Sequence, residues 1–328
     1  MNKTILVTGG AGYIGSTLVH LLLKNDYKVL VLDNISYGGD SLLSAWLHPN
    51  FSFIKGCITS PDLIRGIFID HKIDSVVHLA AIVGDPACAK QPELARKVNF
   101  DASLRLIEIS IQYGVERFIF ASTCSNYGKM TNPMSYVDET SPLAPVSLYA
   151  ELKVKVEKLI LNELKRNGGF FPTALRFATA YGLSPRIRFD LTVNEFTKEL
   201  TLGKELQVFG EQFWRPYCHV YDISRAILLL LESDKYQVAF NVFNVGDTSE
   251  NFQKRMIVDE IIRLIPDGVV KYIHKNEDPR DYRVSFEKIR NELGFKTTRK
   301  VTDGIREIKQ LIEDRILLNP EDNKYRNS

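Results

Sequence analysis

A glycine-rich turn near the N-terminus constrains this chain more than any other feature. Residues 8–15 read Thr-Gly-Gly-Ala-Gly-Tyr-Ile-Gly and lie between an apolar strand pattern over 3–7 and an amphipathic helical pattern over 13–24. A second apolar strand pattern follows over 28–32. Glycines at such a turn let the backbone approach a pyrophosphate, whose charge then lies at the N-terminus of the next helix. The strand, glycine turn, helix and strand together predict a dinucleotide-binding βαβ unit.

The second strand pattern ends in an acidic residue, Asp33. A carboxylate at this position can accept hydrogen bonds from both hydroxyls of an adenosine ribose, and it repels a 2′-phosphate. Asp33 therefore favours NAD over NADP as the dinucleotide. The alternative is a structural role, because the pair Asp33-Asn34 is also typical of a turn.

Tyr149 and Lys153 lie four residues apart in a helical pattern over 146–166. This spacing places the phenol and the ammonium group on one face of a helix. Upstream, a strand pattern over 117–121 is closely followed by Thr123. A hydroxyl there lies at the carboxyl end of a strand, where open α/β sheets bind their ligands. The three side chains together predict a site for proton transfer.

The order of these features resembles the extended short-chain dehydrogenase/reductase family, and within it the NAD-dependent nucleotide-sugar epimerase/dehydratase branch (UDP-glucose 4-epimerase-like). The features are the glycine turn, the acidic strand end, the threonine after a strand and the Tyr-x-x-x-Lys motif, and the resemblance extends from residue 3 to about residue 310. It implies an α/β fold, with a Rossmann-type doubly wound parallel sheet and a smaller C-terminal α/β substrate lobe. It also implies that NAD is the cofactor and that a nucleotide-diphosphate sugar is the substrate.

Strand and helix patterns alternate through the first 180 residues, as they do in a parallel sheet covered by helices. The predicted strands are 3–8, 28–32, 52–55, 75–79, 117–121 and 172–177, and the predicted long helices are 92–113 and 146–166. We expect an NAD-binding domain over 1–182 with segments near 220–245 returning to it, a mainly substrate-binding lobe over 183–318, and a disordered polar tail over 319–328.

The resemblance also implies which residues contact the cofactor. They are Gly9, Gly12, Tyr13, Ile14, Gly15, Asp33, Asn34, Ile58, Leu79, Ala80, Ala81, Asn99, Tyr149 and Lys153. One position departs from the family pattern, because Cys57 replaces the aspartate that usually contacts adenine. Ile58 can still pack against the base.

Oxidation of a secondary alcohol needs a base for the hydroxyl proton and an acceptor for the hydride. A tyrosine acts as this base near neutral pH only when its pKa, ordinarily about 10, is lowered. The ammonium group of Lys153 and the positive nicotinamide ring would both favour the phenolate. We therefore expect Tyr149 to transfer the proton, Lys153 also to hold the nicotinamide ribose, and Thr123 to hydrogen-bond the reacting oxygen.

The residues after Thr123 bear on the type of reaction. Family 4,6-dehydratases carry Asp-Glu there, whereas this chain has Cys124 and Ser125, which disfavours dehydration. Two reactions stay open: a 4-epimerase, which returns the hydride, and a 4-dehydrogenase or reductase, which releases a 4-keto sugar. We favour the epimerase because it is the commonest chemistry of the family. A non-catalytic dinucleotide-binding sensor is a third hypothesis, which the presence of both Tyr149 and Lys153 disfavours.

Several residues of the C-terminal half are similar to the substrate contacts of the family. Residues 215–222 read Arg-Pro-Tyr-Cys-His-Val-Tyr-Asp, a segment in which the family's arginine binds the substrate pyrophosphate, although Pro216 replaces a family aspartate. A guanidinium suits that bidentate contact. Thr179 replaces a common family asparagine and, with Arg186 nearby, suggests an unusual sugar such as a heptose or a deoxy-sugar intermediate. The expected substrate-binding residues are Thr123, Thr179, Arg186, Asn194, Arg215 and Arg280.

The charge balance gives no reason to expect nucleic acid or a membrane surface as a partner, since 42 basic and 40 acidic residues leave a formal net charge of +2. No apolar stretch approaches the length of a membrane span, about 18 residues. The four cysteines have no metal-ligand spacing. We expect a cytoplasmic enzyme without a metal. Helices 92–113 and 146–166 resemble the pair that forms a dimer interface in relatives, so we expect a homodimer, unless their apolar faces serve only the monomer's own sheet.

Overall fold

The computed structural model describes residues 3–130, 135–163, 168–274 and 280–327. Its strands are β1 (Thr4–Thr8), β2 (Lys28–Asp33), β3 (Phe51–Lys55), β4 (Ser75–His78), β5 (Arg117–Thr123), β6 (Phe171–Phe177), β7 (Thr179–Tyr181), β8 (Leu206–Phe209), β9 (Trp214–His219), β10 (Asn241–Val245), β11 (Asn251–Gln253) and β12 (Val270–Ile273). Its α-helices are α1 (Tyr13–Lys24), α2 (Pro61–Asp70), α3 (Asp85–Lys90), α4 (Pro92–Arg96), α5 (Ala102–Gln112), α6 (Leu148–Lys158), α7 (Thr192–Thr201), α8 (Val220–Glu232), α9 (Lys235–Val238), α10 (Lys254–Leu264), α11 (Glu287–Leu293) and α12 (Val301–Glu313).

Seven of the described strands form one sheet in the order β10-β6-β5-β4-β1-β2-β3. Central strands run parallel, with Val7 of β1 opposite Val31 on one side and Val77 on the other. Every residue of β4 and β5 is buried, as expected for parallel strands with helices over both faces. The Rossmann-type parallel α/β sheet predicted from the sequence is confirmed.

All six predicted strands are present, and their ends differ from the predicted ones by at most two residues. The largest difference is in β5, which continues through Ser122 to Thr123. Thr123 is therefore the last residue of a buried strand rather than a residue of the following loop.

One compact unit contains the described residues within Met1–Thr123, Ser147–Arg176 and Ser224–Phe243. In its core, Leu6 of the sheet packs in one apolar cluster with Ile64 of α2 and Leu106 of α5. Removal of such side chains from water supplies most of the free energy that holds helices against a sheet. The unit contains the glycine turn and the predicted catalytic residues.

The long helix predicted over 92–113 contains a π-helical turn. α4 ends at Arg96, a π-helical turn spans Lys97–Asp101, and α5 begins at Ala102. The predicted helical run is therefore present through Gln112, but with one π-helical turn inside it. The wider turn contains Asn99, which is 1% exposed, and π turns occur frequently at functional sites.

The helix predicted over 146–166 begins at Leu148, two residues later than predicted. α6 ends at Lys158 and is followed directly by a π-helical turn over Leu159–Glu163, while residues 164–166 lie outside the described residues.

No helix in the described part of the chain is both long and apolar enough to span a bilayer.

A second compact unit contains the described residues within Cys124–Val146, Phe177–Ile223 and Asn244–Ser328. It has two small sheets, one in the order β11-β9-β7 and one that pairs β12 with β8. Its core joins Phe196 of α7, Ile257 of α10 and Ile305 of α12. The division of the chain into a cofactor domain and a substrate lobe stays a prediction.

The C-terminal segment predicted to be disordered has defined structure through Asn327. Asn323–Tyr325 form a 3-10 turn, and the ring centroid of Tyr325 lies 5.7 Å from that of Phe189. The backbone N–H of Phe189 donates to the carbonyl of Tyr325 at 2.8 Å. The prediction of disorder was wrong because Tyr325 and backbone hydrogen bonds of Arg326 and Asn327 anchor a segment whose average composition is polar.

Candidate active site

A side-chain cap determines where α6 begins. The backbone of Ser147 is extended, and its Oγ accepts a hydrogen bond from the N–H of Ala150 at 3.3 Å. The same hydroxyl donates to Oδ1 of Asp85 at 2.6 Å. A serine cap typically stabilises a helix start by about 1 kcal/mol. The cap places Tyr149 in the first helical turn. Neither Ser147 nor Asp85 was identified from the sequence, although a serine before a helical pattern is a recognised signal.

Lys153, one turn further along α6, is 3% exposed. Its Nζ donates to the carbonyl of Ala121 at 2.7 Å and lies 5.9 Å from the ring centroid of Tyr149. Burial lowers the pKa of Lys153 to about 8, and the nearby thiol of Cys88 acts in the opposite direction. A lysine in this range is still mostly protonated near neutral pH, so it can supply positive charge beside the phenol.

The bond from Lys153 to Ala121 holds α6 against the end of β5 that carries Thr123. Thr123 is 9% exposed at the carboxyl end of this strand. One compact unit therefore contains the three residues predicted to act in catalysis, on two elements joined by a direct hydrogen bond. Their catalytic roles stay predictions.

The glycine turn adopts a conformation that larger residues would disrupt. Gly9 has φ +75°, and a Cβ there would lie 2.7 Å from the backbone nitrogen of Ala80. A Cβ on Gly15 would lie 2.2 Å from the carbonyl oxygen of Gly9. α1 begins directly after Gly12, whose position has no side-chain cap, and its first turn contains no acidic residue. A close-packed turn that leads into an uncapped helix start fits the pyrophosphate of a dinucleotide.

Asp33, the last residue of β2, lies against this turn. Its Oδ2 accepts a hydrogen bond from the N–H of Ala11 at 3.0 Å, and its Oδ1 accepts one from Ile35 at 2.7 Å. Burial raises the pKa of Asp33, while these two bonds oppose the shift. Each carboxylate oxygen has a further lone pair, so the group can also accept ribose hydroxyls. The neighbouring Asn34 caps its own turn, accepting bonds from the N–H and Oγ of Ser36.

A buried hydrogen-bond chain supports the end of β4. His78 is 1% exposed, and its two ring nitrogens lie 2.7 Å from Oγ1 of Thr8 and 2.9 Å from Oγ of Ser103. Burial, together with the charge of Lys153, lowers the pKa of His78 to about 3, so the ring is neutral. Ser103 in turn donates to the carbonyl of Asn99 at 3.0 Å.

Asn99 fixes the segment that follows β4. Its side-chain oxygen accepts from the N–H of Ile82 at 2.8 Å, and its side-chain nitrogen donates to the Ile82 carbonyl at 2.9 Å. The segment contains three of the predicted cofactor contacts, which are half-buried: Leu79, Ala80 and Ala81. Among the other predicted contacts, Tyr13 and Ile58 are each 5% exposed and Ile14 is half-buried. Asn99 thus holds in place the segment that contains these predicted cofactor contacts, while its own contact with NAD stays a prediction.

In the second unit, two predicted substrate residues lie near one buried tyrosine. The guanidinium carbon of Arg215 lies 5.3 Å from the ring centroid of Tyr282, and its Nη1 donates to the carbonyl of Trp214 at 2.7 Å. Burial raises the pKa of Tyr282 to about 12, while the charges of Arg215 and Arg280 act in the opposite direction. Arg215 and Arg280 are both half-buried. Tyr282 was not identified from the sequence.

Asn194 and Arg186, also predicted to contact substrate, both form hydrogen bonds within the protein. Asn194 is 0% exposed, and its amide bonds the N–H and carbonyl of Gly182 at 2.8 and 3.2 Å and the carbonyl of Arg188 at 2.9 Å. Arg186 is 7% exposed and donates through Nη2 to the carbonyl of Arg326 at 3.1 Å. Both side chains are buried, and their contact with substrate stays a prediction. Thr179, in β7, is half-buried and stays a candidate.

The sequence profile of the NAD dependent epimerase/dehydratase family matches residues 5–246. The chain belongs to this family. The short-chain dehydrogenase/reductase resemblance predicted from the sequence is confirmed, and so is NAD as the cofactor, because the family is NAD-dependent. The chain is accordingly an enzyme of this type, acting in nucleotide-sugar metabolism.

Individual relatives in the epimerase/dehydratase family have different activities. A UDP-glucose 4-epimerase from Halalkalibacterium halodurans is 29% identical over 89% of this chain and 90% of its own length. A dTDP-glucose 4,6-dehydratase from an Actinoplanes species is 31% identical over 92% of this chain and 95% of its own. The crystal structure of UDP-glucuronic acid 4-epimerase from Bacillus cereus, in complex with UDP-glucuronic acid and NAD, superposes with a TM-score of 0.84, at 26% identity, over 95% of this chain and 99% of that one.

Proposed function

We propose that this enzyme is a nucleotide-sugar 4-epimerase that uses Tyr149, Lys153 and Thr123 to oxidise the sugar at C4 and, after the ketone has turned, to reduce it from its opposite face. The observation that carries the proposal is the position of Lys153. Its buried ammonium group lies 5.9 Å from the phenol ring of Tyr149 and is bonded to the strand that ends in Thr123. This arrangement lies in the same compact unit as the glycine turn.

The side chains have separate tasks in this mechanism. Bound NAD⁺ supplies a hydride acceptor and, once reduced, a hydride donor. Tyr149 takes the proton of the C4 hydroxyl as the ketone forms and returns it when the alcohol is restored. The positive charge of Lys153 stabilises the phenolate form of Tyr149 between these steps. Thr123 donates a hydrogen bond to the reacting oxygen, which holds the sugar in position.

The residues after Thr123 support epimerisation over dehydration. Elimination of water needs an acid and a base beyond the oxidising tyrosine, and dehydratases of the family place Asp-Glu at this point. Here Cys124 is 1% exposed, and Ser125 accepts a hydrogen bond from the hydroxyl of Tyr282 at 3.4 Å. Neither side chain is a carboxylate, so this pair does not supply the acid and base that elimination requires.

Arg215 and Arg280 are proposed to bind the diphosphate of the substrate. Both lie near Tyr282, and two guanidinium groups within one region can neutralise the two negative charges of a pyrophosphate. The relatives named above act on UDP- and dTDP-linked sugars. We extend to this chain only the shared chemistry, a nucleotide-diphosphate sugar. A homodimer formed through the segments predicted as helices, 92–113 and 146–166, and a cytoplasmic location are further parts of the proposal.

Incubation of the enzyme with UDP-, GDP-, CDP- and dTDP-sugars tests the proposed function, with NADH absorbance followed and the sugar products identified. A 4-epimer formed without net NADH is the expected result. A 4-keto sugar accompanied by stoichiometric NADH would instead establish a dehydrogenase. Tyr149→Phe is the matched control, since it retains the ring and removes the transferable proton.

A further inference from the structure

The catalytic helix is joined to β5 at two successive turns. Lys153 and Glu157, one turn apart on α6, are 3% and 1% exposed. Nζ of Lys153 donates to the carbonyl of Ala121 at 2.7 Å, and Oε2 of Glu157 accepts a bond from the hydroxyl of Ser122 at 2.8 Å. Ala121 and Ser122 are the two residues directly before Thr123. Two turns of one helix therefore hold two consecutive residues of the strand.

Glu157 is itself held by a buried arginine from the next strand. Arg176 of β6 is 3% exposed, and its Nε donates to both carboxylate oxygens of Glu157 at 3.2 Å. Its Nη2 donates to Oε1 at 2.5 Å. A carboxylate with these bonds and a bond from Ser122 cannot rotate without breaking several at once. Removing two charges from water is costly, and replacing a buried ion pair by apolar residues is often neutral for stability. The pair of Glu157 and Arg176 is therefore weak evidence of a purely stabilising role.

We propose that Glu157 is a positioning residue for the reaction, which sets the register of α6 on β5 and thereby the placement of Thr123 against Tyr149 and Lys153. Tyr149, Lys153 and Glu157 follow one another at four-residue spacing and so lie along one face of α6. A shift of the helix along the strand would move the first two relative to Thr123. This inference rests on the proposed function, because it assigns the geometry of those three residues a role in catalysis.

Ser122→Ala is the most selective test, because it removes the strand's hydroxyl from Glu157 and leaves the ion pair with Arg176 in place. Its matched control is Ser110→Ala, on α5. Ser110 is 0% exposed and donates to the carbonyl of Leu106 at 2.7 Å, so this variant also loses one buried hydrogen bond. Glu157→Gln is a stronger variant, since it leaves the charge of Arg176 without its counter-ion.

Three quantities are measured for each variant: the thermal unfolding midpoint, the dissociation constant of NAD⁺ by calorimetry on protein freed of nucleotide, and kcat and KM on the sugar that the wild type converts. Both serine variants are expected to lower the midpoint to a similar extent, by about 2–4 °C. Ser122→Ala alone is expected to lower kcat by about 10- to 100-fold with little change in KM, because a small displacement of reacting groups is costly. It should also weaken NAD⁺ binding several-fold, since Lys153 is displaced with the helix.

Equal kcat and NAD⁺ affinity in Ser122→Ala and Ser110→Ala would overturn the positioning role, even with the proposed function intact. If the wild type converts no sugar, the proposed function fails, and the NAD⁺ dissociation constants of the two variants then decide the positioning role by themselves. If Glu157→Gln does not fold, Ser122→Ala still gives the decisive comparison.

Discussion

The ammonium group of Lys153 donates a hydrogen bond to the backbone carbonyl of Ala121 at 2.7 Å. This bond joins the helix that carries the predicted proton-transfer residue to the strand that ends in Thr123. Because Lys153 is buried, its charge is weakly screened and acts strongly on the neighbouring phenol of Tyr149. Lys153 thus both bonds α6 to β5 and supplies positive charge to the candidate site.

The stability of the protein should depend on pH through Lys153. The pKa of this group is about 8 in the folded chain, below its reference value of 10.5. Between these values the unfolded chain binds more protons at this site than the folded chain does, so stability rises with pH across the window. We compare the free energy of unfolding of the wild type with that of Lys153→Met. The difference, wild type minus variant, should increase by up to about 3 kcal/mol as the pH rises from about 8 to 10.5. Denaturant titrations of both proteins across this window measure the difference, and parallel curves would contradict the prediction.

Tyr149→Phe should remove acid and base catalysis and leave the fold and cofactor binding in place. We expect kcat to fall by about 10²- to 10⁴-fold, the usual contribution of a positioned proton-transfer group. NAD⁺ affinity and the unfolding midpoint should stay close to wild type, because the ring is kept. Unchanged turnover in this variant would move the base role to another residue.

Gly15→Ala should prevent dinucleotide binding. A Cβ at this position would lie 2.2 Å from the carbonyl oxygen of Gly9, so the turn must deform. The matched control is Gly66→Ala in α2, where a Cβ meets no atom within 4 Å. That variant should be more stable by about 0.5–1 kcal/mol, because alanine favours a helix interior. Calorimetric titration with NAD⁺ and thermal unfolding of both variants check the contrast.

Arg215→Ala should weaken substrate binding while Arg186→Ala should not. Loss of a charge-assisted contact to a diphosphate should raise KM by about 10- to 100-fold. Arg186 bonds the carbonyl of Arg326, so its removal should lower the unfolding midpoint and leave KM unchanged. A KM effect in Arg186→Ala equal to that in Arg215→Ala would instead support a direct substrate contact by Arg186.

Features that depend on neighbouring residues could be predicted from the amino-acid sequence. The glycine turn, the apolar strand patterns and the four-residue spacing of Tyr149 and Lys153 are local signals, because turn chemistry and side-chain periodicity act over a few residues. They were sufficient to predict the parallel sheet, the family and its cofactor. The prediction of six strands to within two residues follows from the same periodicity.

Tertiary packing, by contrast, determines which polar side chains form hydrogen bonds within the protein. Nothing near Asn194 or Arg186 in the chain shows that the first bonds Gly182 and the second bonds the carbonyl of Arg326. Glu157 likewise meets Ser122 and Arg176 only because α6, β5 and β6 pack together. Buried polar groups must find hydrogen-bond partners, and those partners are distant in sequence. The choice among them is a property of the packed fold, so a motif can mark a candidate side chain but cannot show whether the fold leaves it available to a ligand.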